Sequence, residues 1–421
     1  MWETLRNVWR VPELRKKVLY TFFMLLIFRL VSVIPAPGVD QAAIQSAMGT
    51  YDMLGLVNMM TGSAFSQSTI MAMGISPYIN ASIIMQLLTI AIPALERLQK
   101  EGGEEGKQKI NRITRYVTVG LAAVQAIGII GGLRAIEPGY KNFFGYVTIG
   151  IVMAGGTALA MWIGERITKN GIGNGVSLLI FAGIVSNLFN GIMTTTQGIF
   201  NGTSTVGNLL VVVLTTLIIL VVVTFVDMAE RRIPVQYAKR VVGRKMYGGQ
   251  STHIPMKLLS VGVLPLIFAY SFMAFPGTIF AFFGTDSGAY QWWSTYMNQT
   301  SVWYMLVCAL LIIAFSYFYT SITFNPQDIA KNVQQQGGHI PGIRSGQKTV
   351  EYLARTSNRL TLFAALFLAI LSTIPSLLTV WQRVQIPFGA SSILIAVSVA
   401  IETVRQVESQ MVMRNYKGFL G

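Results

Sequence analysis

Charge is what this chain has least of. Only 12% of its 421 residues are Asp, Glu, Lys or Arg, against about 25% in an ordinary soluble domain. The 17 acids lie mainly in polar segments or at the ends of apolar runs. A proton-coupled pump needs carboxylates along its ion path, so this distribution argues against one. Cysteine is nearly absent. Cys308 alone, inside an apolar run, excludes a disulfide framework and a thiolate metal site. His253 and His339 lie in separate polar segments, too isolated for a metal cluster. No nucleophile–base constellation, zinc motif or P-loop is visible. Gly171, Gly173 and Gly175 superficially resemble a phosphate loop, but no strand precedes them and no Lys-Ser/Thr follows. They are expected instead to allow a tight turn between two helices. Enzymatic activity is therefore not expected, nor is a metal or a cofactor. No cleavable leader is evident either: the first apolar run ends in Pro35 and Pro37 rather than in a small-residue cleavage site.

Apolar sequence is what the chain has instead: 52% of its residues are hydrophobic and the mean hydropathy is +0.54. Several runs of about 18 or more apolar residues meet the criterion for a membrane span. Ten such runs are expected, at about 19–34, 73–92, 116–133, 147–163, 176–192, 209–226, 258–275, 302–320, 360–380 and 388–404. Residues 1–18 read as an interfacial amphipathic helix, with Trp2, Leu5, Val8 and Trp9 on one face and basic residues around them. Residues 193–208 read as a hinge between two halves, and 405–421 as a polar tail. The tenth span should run on as a helix into that tail. Pro265 should kink the seventh span.

The net charge of +15 would suit a nucleic-acid binder, but its distribution points elsewhere. With ten spans, 28 of the 32 basic residues fall on the side of the termini, and only Arg134, Lys141 and Arg383 on the other. The positive-inside rule then makes both termini and the long polar loops cytoplasmic. Five spans per half, an odd number, makes the halves opposite in topology, as in inverted-repeat transport proteins. The expected class is an all-α polytopic membrane protein: ten transmembrane helices in two inverted, pseudo-symmetric halves of five (19–192 and 209–404).

One stretch does not fit the plain pattern. Residues 54–88, LGLVNMMTGSAFSQSTIMAMGISPYINASIIMQLL, carry no Lys or Arg, and none occurs between Arg29 and Arg97. The first part is apolar but broken by Gly55, Gly62, Ser63, Ser66 and Ser68. Irregular backbone at membrane depth is tolerated only where protein buries it or water reaches it. The stretch is therefore expected to form and close a pore. Its first part reads as a re-entrant plug, against the alternative of an ordinary external loop, and Leu54, Val57, Met60, Gly62, Ser63 and Phe65 are its candidate residues. Ile75, Ile79, Val176, Ile180, Ile267 and Ile395 lie at the middles or outer ends of broken or kinked spans. Such residues can ring a constriction that stops ions by dewetting; ordinary core or lipid-facing packing is the competing reading. Asn80, Gln86 and Asn174 are polar groups near membrane depth that either bond between helices or line a seam weak enough to open. Arg29 is ionisable within a span, which flags function, although near the span's end it can also snorkel to the headgroups.

Two long loops complete the set. Residues 227–257 carry Arg231, Arg232, Lys239, Arg240, Arg244 and Lys245 beside Tyr237 and Tyr247, and their pattern suggests a hairpin-like projection. Seven positive charges exceed what orientation needs, so docking of RNA phosphate or an acidic protein surface is favoured over a purely topological role. Residues 325–358, with Arg344, are a second candidate. A secondary transporter and an intramembrane enzyme remain as rival classes. The first should show midplane charges at a small-molecule site, and the second facing catalytic groups at depth.

Several blocks of sequence carry a resemblance. MGISPYINASIIMQLL, FRLVSVIPAPGVD, GERITKNGIGNGVSLLIFAGIV, YAKR with QSTHIPMK, FNPQDIAKNVQQQGGHIPGIRSGQKT and ESQMVMRNYKGF, in this order and over nearly the whole chain, resemble the SecY family of bacterial protein-conducting channel subunits. The resemblance implies an hourglass pore opening sideways to lipid, with a plug at about 54–66. It implies a constriction ring of Ile75, Ile79, Val176, Ile180, Ile267 and Ile395, with Val176 where isoleucine is common. It implies a lateral gate between spans 2 and 3 and spans 7 and 8, including Asn80, Gln86 and Pro265. Lys239, Arg240, Arg244, Lys245 and Arg344 would dock the SecA motor and the ribosome. SecE and SecG would be membrane partners, unfolded preproteins and signal peptides the substrates, and the bacterial plasma membrane the location. The plug sequence GSAFSQ departs from the family's more usual glycine-rich pattern.

Overall fold

The structure is a computed structural model that describes residues 9, 11–50, 58, 61–200, 206–237, 240–242, 245–247, 252–259, 262, 264–282, 287–298, 301–382 and 390–417. Each of the ten expected runs has most of its described residues in a helix. In chain order the helices are α1 (Pro12–Val31), α2 (Gln41–Thr50), α3 (Ser76–Ala91), α4 (Pro93–Lys100), α5 (Gly103–Gly132), α6 (Phe143–Asn170) and α7 (Gly175–Phe200). They continue with α8 (Val206–Met228), α9 (Leu264–Phe282), α10 (Gly288–Tyr296), α11 (Val302–Thr323), α12 (Pro326–Gln335), α13 (Gln347–Gln382) and α14 (Ala390–Lys417). Among the described residues five helices qualify as spans by length and hydropathy alone, and α3 with α4, bent by 104°, makes a sixth. The other four expected runs lie in α1, α8, α9 and α14.

Several boundaries move for identifiable reasons. Residues 12–18 are not a separate interfacial helix: Pro12 starts α1, where its missing N–H costs nothing, and the helix runs on through the span. Of the expected hinge at 193–208, the residues to Phe200 continue α7 and those from Val206 open α8, and 201–205 lie outside the described residues. The polar segment after the second span is two helices. Ile92 adopts the extended conformation forced on a residue before proline, and Pro93 opens α4 in a new direction. Helix α5 then reaches 30 residues, or ~45 Å, well beyond a ~30 Å hydrocarbon core. Pro265 does not kink the seventh span. It is the second residue of α9, where an absent N–H is harmless, and the proline inside that helix is Pro276.

The α6–α7 turn bears out the expectation for its glycines. Gly173 has φ +80°, a conformation that suits glycine. A Cβ on Gly175 would land on the Gly164 carbonyl of α6. Thr21 Oγ1 on α1 accepts from Ile172 N at 3.0 Å, and Thr168 Oγ1 accepts from Gly175 N at 2.8 Å. Asn174 caps α7, its Oδ1 accepting from Val176 N at 3.1 Å and Ser177 N at 3.4 Å. It is therefore a helix cap and not part of an interhelical polar seam.

Buried side chains divide the membrane region into three clusters. One draws on the first half, with Ala36, Val39, Ile44, Phe65, Ile130, Ile149 and Met153. A second draws on α8, α9, α11, α13 and α14, with Val223, Leu266, Cys308, Ile312, Leu368 and Leu394. The third lies between the halves. The buried hydroxyls of Thr118, Ser316, Thr320 and Thr361 turn back to their own helix; Thr361 Oγ1 also meets Thr320 Oγ1 at 3.1 Å, tying α13 to α11. Large apolar side chains such as Phe22, Phe144, Phe225 and Leu310 stand exposed around the outside, a surface that only lipid or membrane partners can cover.

The two polar loops are one structure. Strands β1 (Glu230–Tyr237) and β4 (Thr252–Lys257) form the expected hairpin, with β2 (Arg240–Val242) and β3 (Lys245–Tyr247) paired towards its tip. Strand β5 (Gly338–His339), from the other loop, adds to the far edge of β1 at Gln236 and Tyr237. Pro234 can sit in β1 because it lies before the residues that β5 pairs with. Ile233, Val235 and Met256 pack under the sheet against Ala330 and Val333 of α12, Ile340, and Leu353 of α13. Gly338 has no room for a side chain against Tyr237, Val235 and Val333.

The α6–α7 turn supplies a stability test. Gly175→Ala forces a Cβ onto the α6 backbone and should cost about 1–3 kcal/mol. The measurement is a lower thermal unfolding midpoint of the purified protein in detergent.

Candidate functional site

The six aliphatic residues singled out in the sequence come together. Ile75, Ile79, Ile180, Ile267 and Ile395 are all buried in the cluster between the halves, and Val176 packs against it partly buried. The local reasons differ. Ile75 caps the start of α3, just after Gly74 (φ +53°), and Ile79 follows one turn later on the same face. Val176 and Ile180 repeat that spacing on α7. Ile267 comes from the first turn of α9, fixed there by Pro265, and Ile395 from the first turns of α14. Helices α3 and α7 belong to the first half, α9 and α14 to the second, so the cluster joins the halves. Each such side chain removed from water contributes about 1.5–3 kcal/mol. The cluster is also wider than the sequence suggested, extending to Phe28 on α1, Ile163 and Ile167 on α6, and Val399 on α14.

The broken stretch fills the space beside it. Among its described residues, Asn58 and Thr61 are helical, and 62–75 are turns apart from the bridge residue Thr69. Leu54, Val57 and Met60 lie outside the described residues. Gly62 and Phe65 are buried and Ser63 half-buried. Ala64 and Met71 join the central cluster, whereas Phe65, fully buried, points into the first-half core. The backbone is pinned at 68–70: Ala36 N donates to Ser68 O at 2.8 Å, Ile70 N to Ile34 O at 2.9 Å, and Pro35 bridges Thr69.

Sequence reasoning underrated the polar side of this site. Arg29 does not turn outward to headgroups. Its Nη1 donates to Gly62 O at 2.9 Å, and its Nη2 donates to Ser186 Oγ on α7. Ser63 Oγ donates to Asn187 Oδ1 at 2.6 Å, and Asn187 Nδ2 donates to Asn58 O at 3.1 Å. Ser186 and Asn187, adjacent polar residues in an apolar span, were the available signal.

One seam between the halves is formed by α9, which packs against α3 and α5. Asn80 on α3 is half-buried and Gln86 exposed, while Pro265 on α9 is buried. On the basic side, Arg240 and Lys245 lie in β2 and β3, opposite Tyr247 and Val242. Lys239 and Arg244 lie outside the described residues. Arg344 is exposed in the turn between β5 and α13. Arg232 donates to Glu230 at 2.8 Å, which holds the Glu230 carboxyl below its ordinary range.

Known proteins share this fold. Solved structures with the same fold include one described as "The structure of a protein conducting channel", at TM-score 0.71 and 19% identity, covering 97% of both chains. Another, at TM-score 0.68, 20% identity and the same coverage, is described by the statement that the plug domain of SecY stabilises the closed state of its channel and maintains a membrane seal. A third, at TM-score 0.67 and 18% identity and again 97% of both chains, is Sec61 in a canine ribosome–channel complex. Among sequence relatives, the protein translocase subunit SecY of Streptomyces galbus is 42% identical over 439 residues, covering 98% of each chain. That of Halalkalibacterium halodurans is 42% identical over 433 residues, covering 100% of each. The SecY family model matches residues 69–404. The chain therefore belongs to the SecY family of protein translocase channel subunits.

Proposed function

We propose that this chain forms the pore through which unfolded polypeptides cross the plasma membrane and from which apolar segments pass sideways into lipid. One observation carries the reading: aliphatic side chains from both halves converge in one buried cluster, and the irregular segment 62–75 packs directly against it. An aliphatic ring has no fixed hydrogen-bond pattern to select one sequence, and it can close around many shapes. It stops ions by dewetting rather than by charge. Ile75, Ile79, Val176, Ile180, Ile267 and Ile395 are its members in this reading. The segment before Ser68 acts as the plug, and Asn80, Gln86 and Pro265 flank the lateral gate between α3 with α5 and α9 with α11.

The chain acts as a passive conduit rather than as an enzyme, and a partner supplies the energy. The distribution of basic residues supports a cytoplasmic position for both termini and the β-sheet. There Lys239, Arg240, Arg244, Lys245 and Arg344 form a docking surface for the SecA motor and the ribosome; the canine relative bound to a ribosome supports the second partner. SecE and SecG cover part of the exposed apolar surface. The boundaries 19–192 and 209–404 mark the two moving halves.

Three outcomes test this. Replacing Ile75 and Ile79 together by glycine should raise the resting ion leak severalfold in planar-bilayer recordings; an unchanged leak removes them from the seal. Arg344→Glu should cut motor-driven transport severalfold in vesicles while leaving membrane insertion intact, and unchanged transport would count against docking there. Crosslinking a cysteine on α3 to one on α9 should block release of an apolar segment into lipid, whereas normal release rules out a gate at that seam.

A further inference from the structure

Arg29 is the only basic side chain in the apolar stretch of α1. It is half-buried and aimed inward, between the broken segment and α7. A guanidinium bonded to a backbone carbonyl makes a charge-assisted contact, stronger than a bond between neutral groups. Around it the fit is close. A Cβ added to Gly62 would lie 2.9 Å from Arg29 Nη1 and 3.0 Å from Gly183 Cα, so glycine meets glycine where the segment crosses α7. Gly62 has φ +66° and Ser63 φ +71°. A serine holds that conformation only where its surroundings enforce it. Here Asn187 takes the Ser63 hydroxyl, and Arg29 takes the preceding carbonyl. The segment's far end is pinned to residues 34–36 by the Pro35–Thr69 bridge. Only 64–67 lie between the two anchors, and the pinned end begins at Ser68, itself at φ +51°.

The two anchors differ in kind. The 68–70 anchor is backbone to backbone, next to the end of the helix that carries Arg29. The Gly62 anchor is made by side chains on two separate helices, α1 and α7, and holds only while those helices keep their spacing. The geometry points to Arg29 as the positioning residue that keeps the segment seated: a cationic latch joining α1 and α7 over the Gly62 carbonyl. This rests on reading the segment as the plug. Release of the latch lets residues 61–67 leave the seat, with loss of the Thr69 bonds to Ala64 O and of the Phe65 burial, while 69–75 stay in place and the start of α3 is kept.

Conductance of the channel complex purified from membranes and placed in planar bilayers tests the latch. Arg29→Met removes every donor and should raise resting conductance severalfold; Arg29→Lys, which keeps one donor group, should fall between it and the wild type. In Arg29→Met protein also carrying Cys308→Ser, Ser63→Cys and Asn187→Cys, bridging the two thiols with a short bifunctional reagent should restore the tight state. Wild-type conductance in Arg29→Met overturns the latch, and so does a leak that bridging does not reverse. Deleting residues 61–67 separates the two readings. A deletion that does not leak overturns the plug itself, whereas a leaking deletion beside a tight Arg29→Met overturns the latch alone.

Discussion

Backbone that leaves helical geometry inside a membrane must find partners for its amides and carbonyls without help from lipid. Residues 62–75 face that constraint, and much of the first half is arranged around it. The chain before α2 turns back to pair with 68–70. Helix α1 contributes a guanidinium to a carbonyl at 62, and α7 contributes a serine and an asparagine. Glycines at 62, 156 and 183 let backbone approach backbone; a side chain at Gly156 would collide with the carbonyl of Ile70. The irregular segment is therefore held by many directional contacts, whereas the aliphatic cluster beside it is held by none.

In the proposed channel, that contrast suits a division of labour in closing it. Aliphatic contacts are non-directional and roughly proportional to buried area. They reseal from many starting arrangements, which suits side chains that must part for a passing chain. Hydrogen bonds are specific and costly to leave unmade in a dry site. They suit an element that has to return to one place.

The sequence is most legible where structure is local. Run length placed each expected span largely within a helix, and alternation around IPVQY with a Gly-Arg-Lys tip anticipated the β1–β4 hairpin. The grouping of Ile75, Ile79, Val176, Ile180, Ile267 and Ile395 came from resemblance to a family, since isoleucine in an apolar chain carries no marker of its own. Non-local features were invisible. Nothing near Gly338 announces a strand that pairs about a hundred residues away. Arg29 looked free to snorkel because its carbonyl partner is set by tertiary packing. Pro265 was misread because proline breaks a helix interior but favours a first turn, and hydropathy did not resolve the true start of α9. Asn174 was misread likewise: at the end of an apolar run, a cap and a polar seam look alike.

Strand β5 has a mechanical consequence. By pairing with β1 it ties the connection between α8 and α9 to the connection between α11 and α13. Four helices of the second half thus share one stiff handle. A load placed on either loop is carried by both, and it cannot bend one helix pair away from the other without breaking the sheet. The contact between the halves is largely apolar, so in the proposed gating it is the joint that yields.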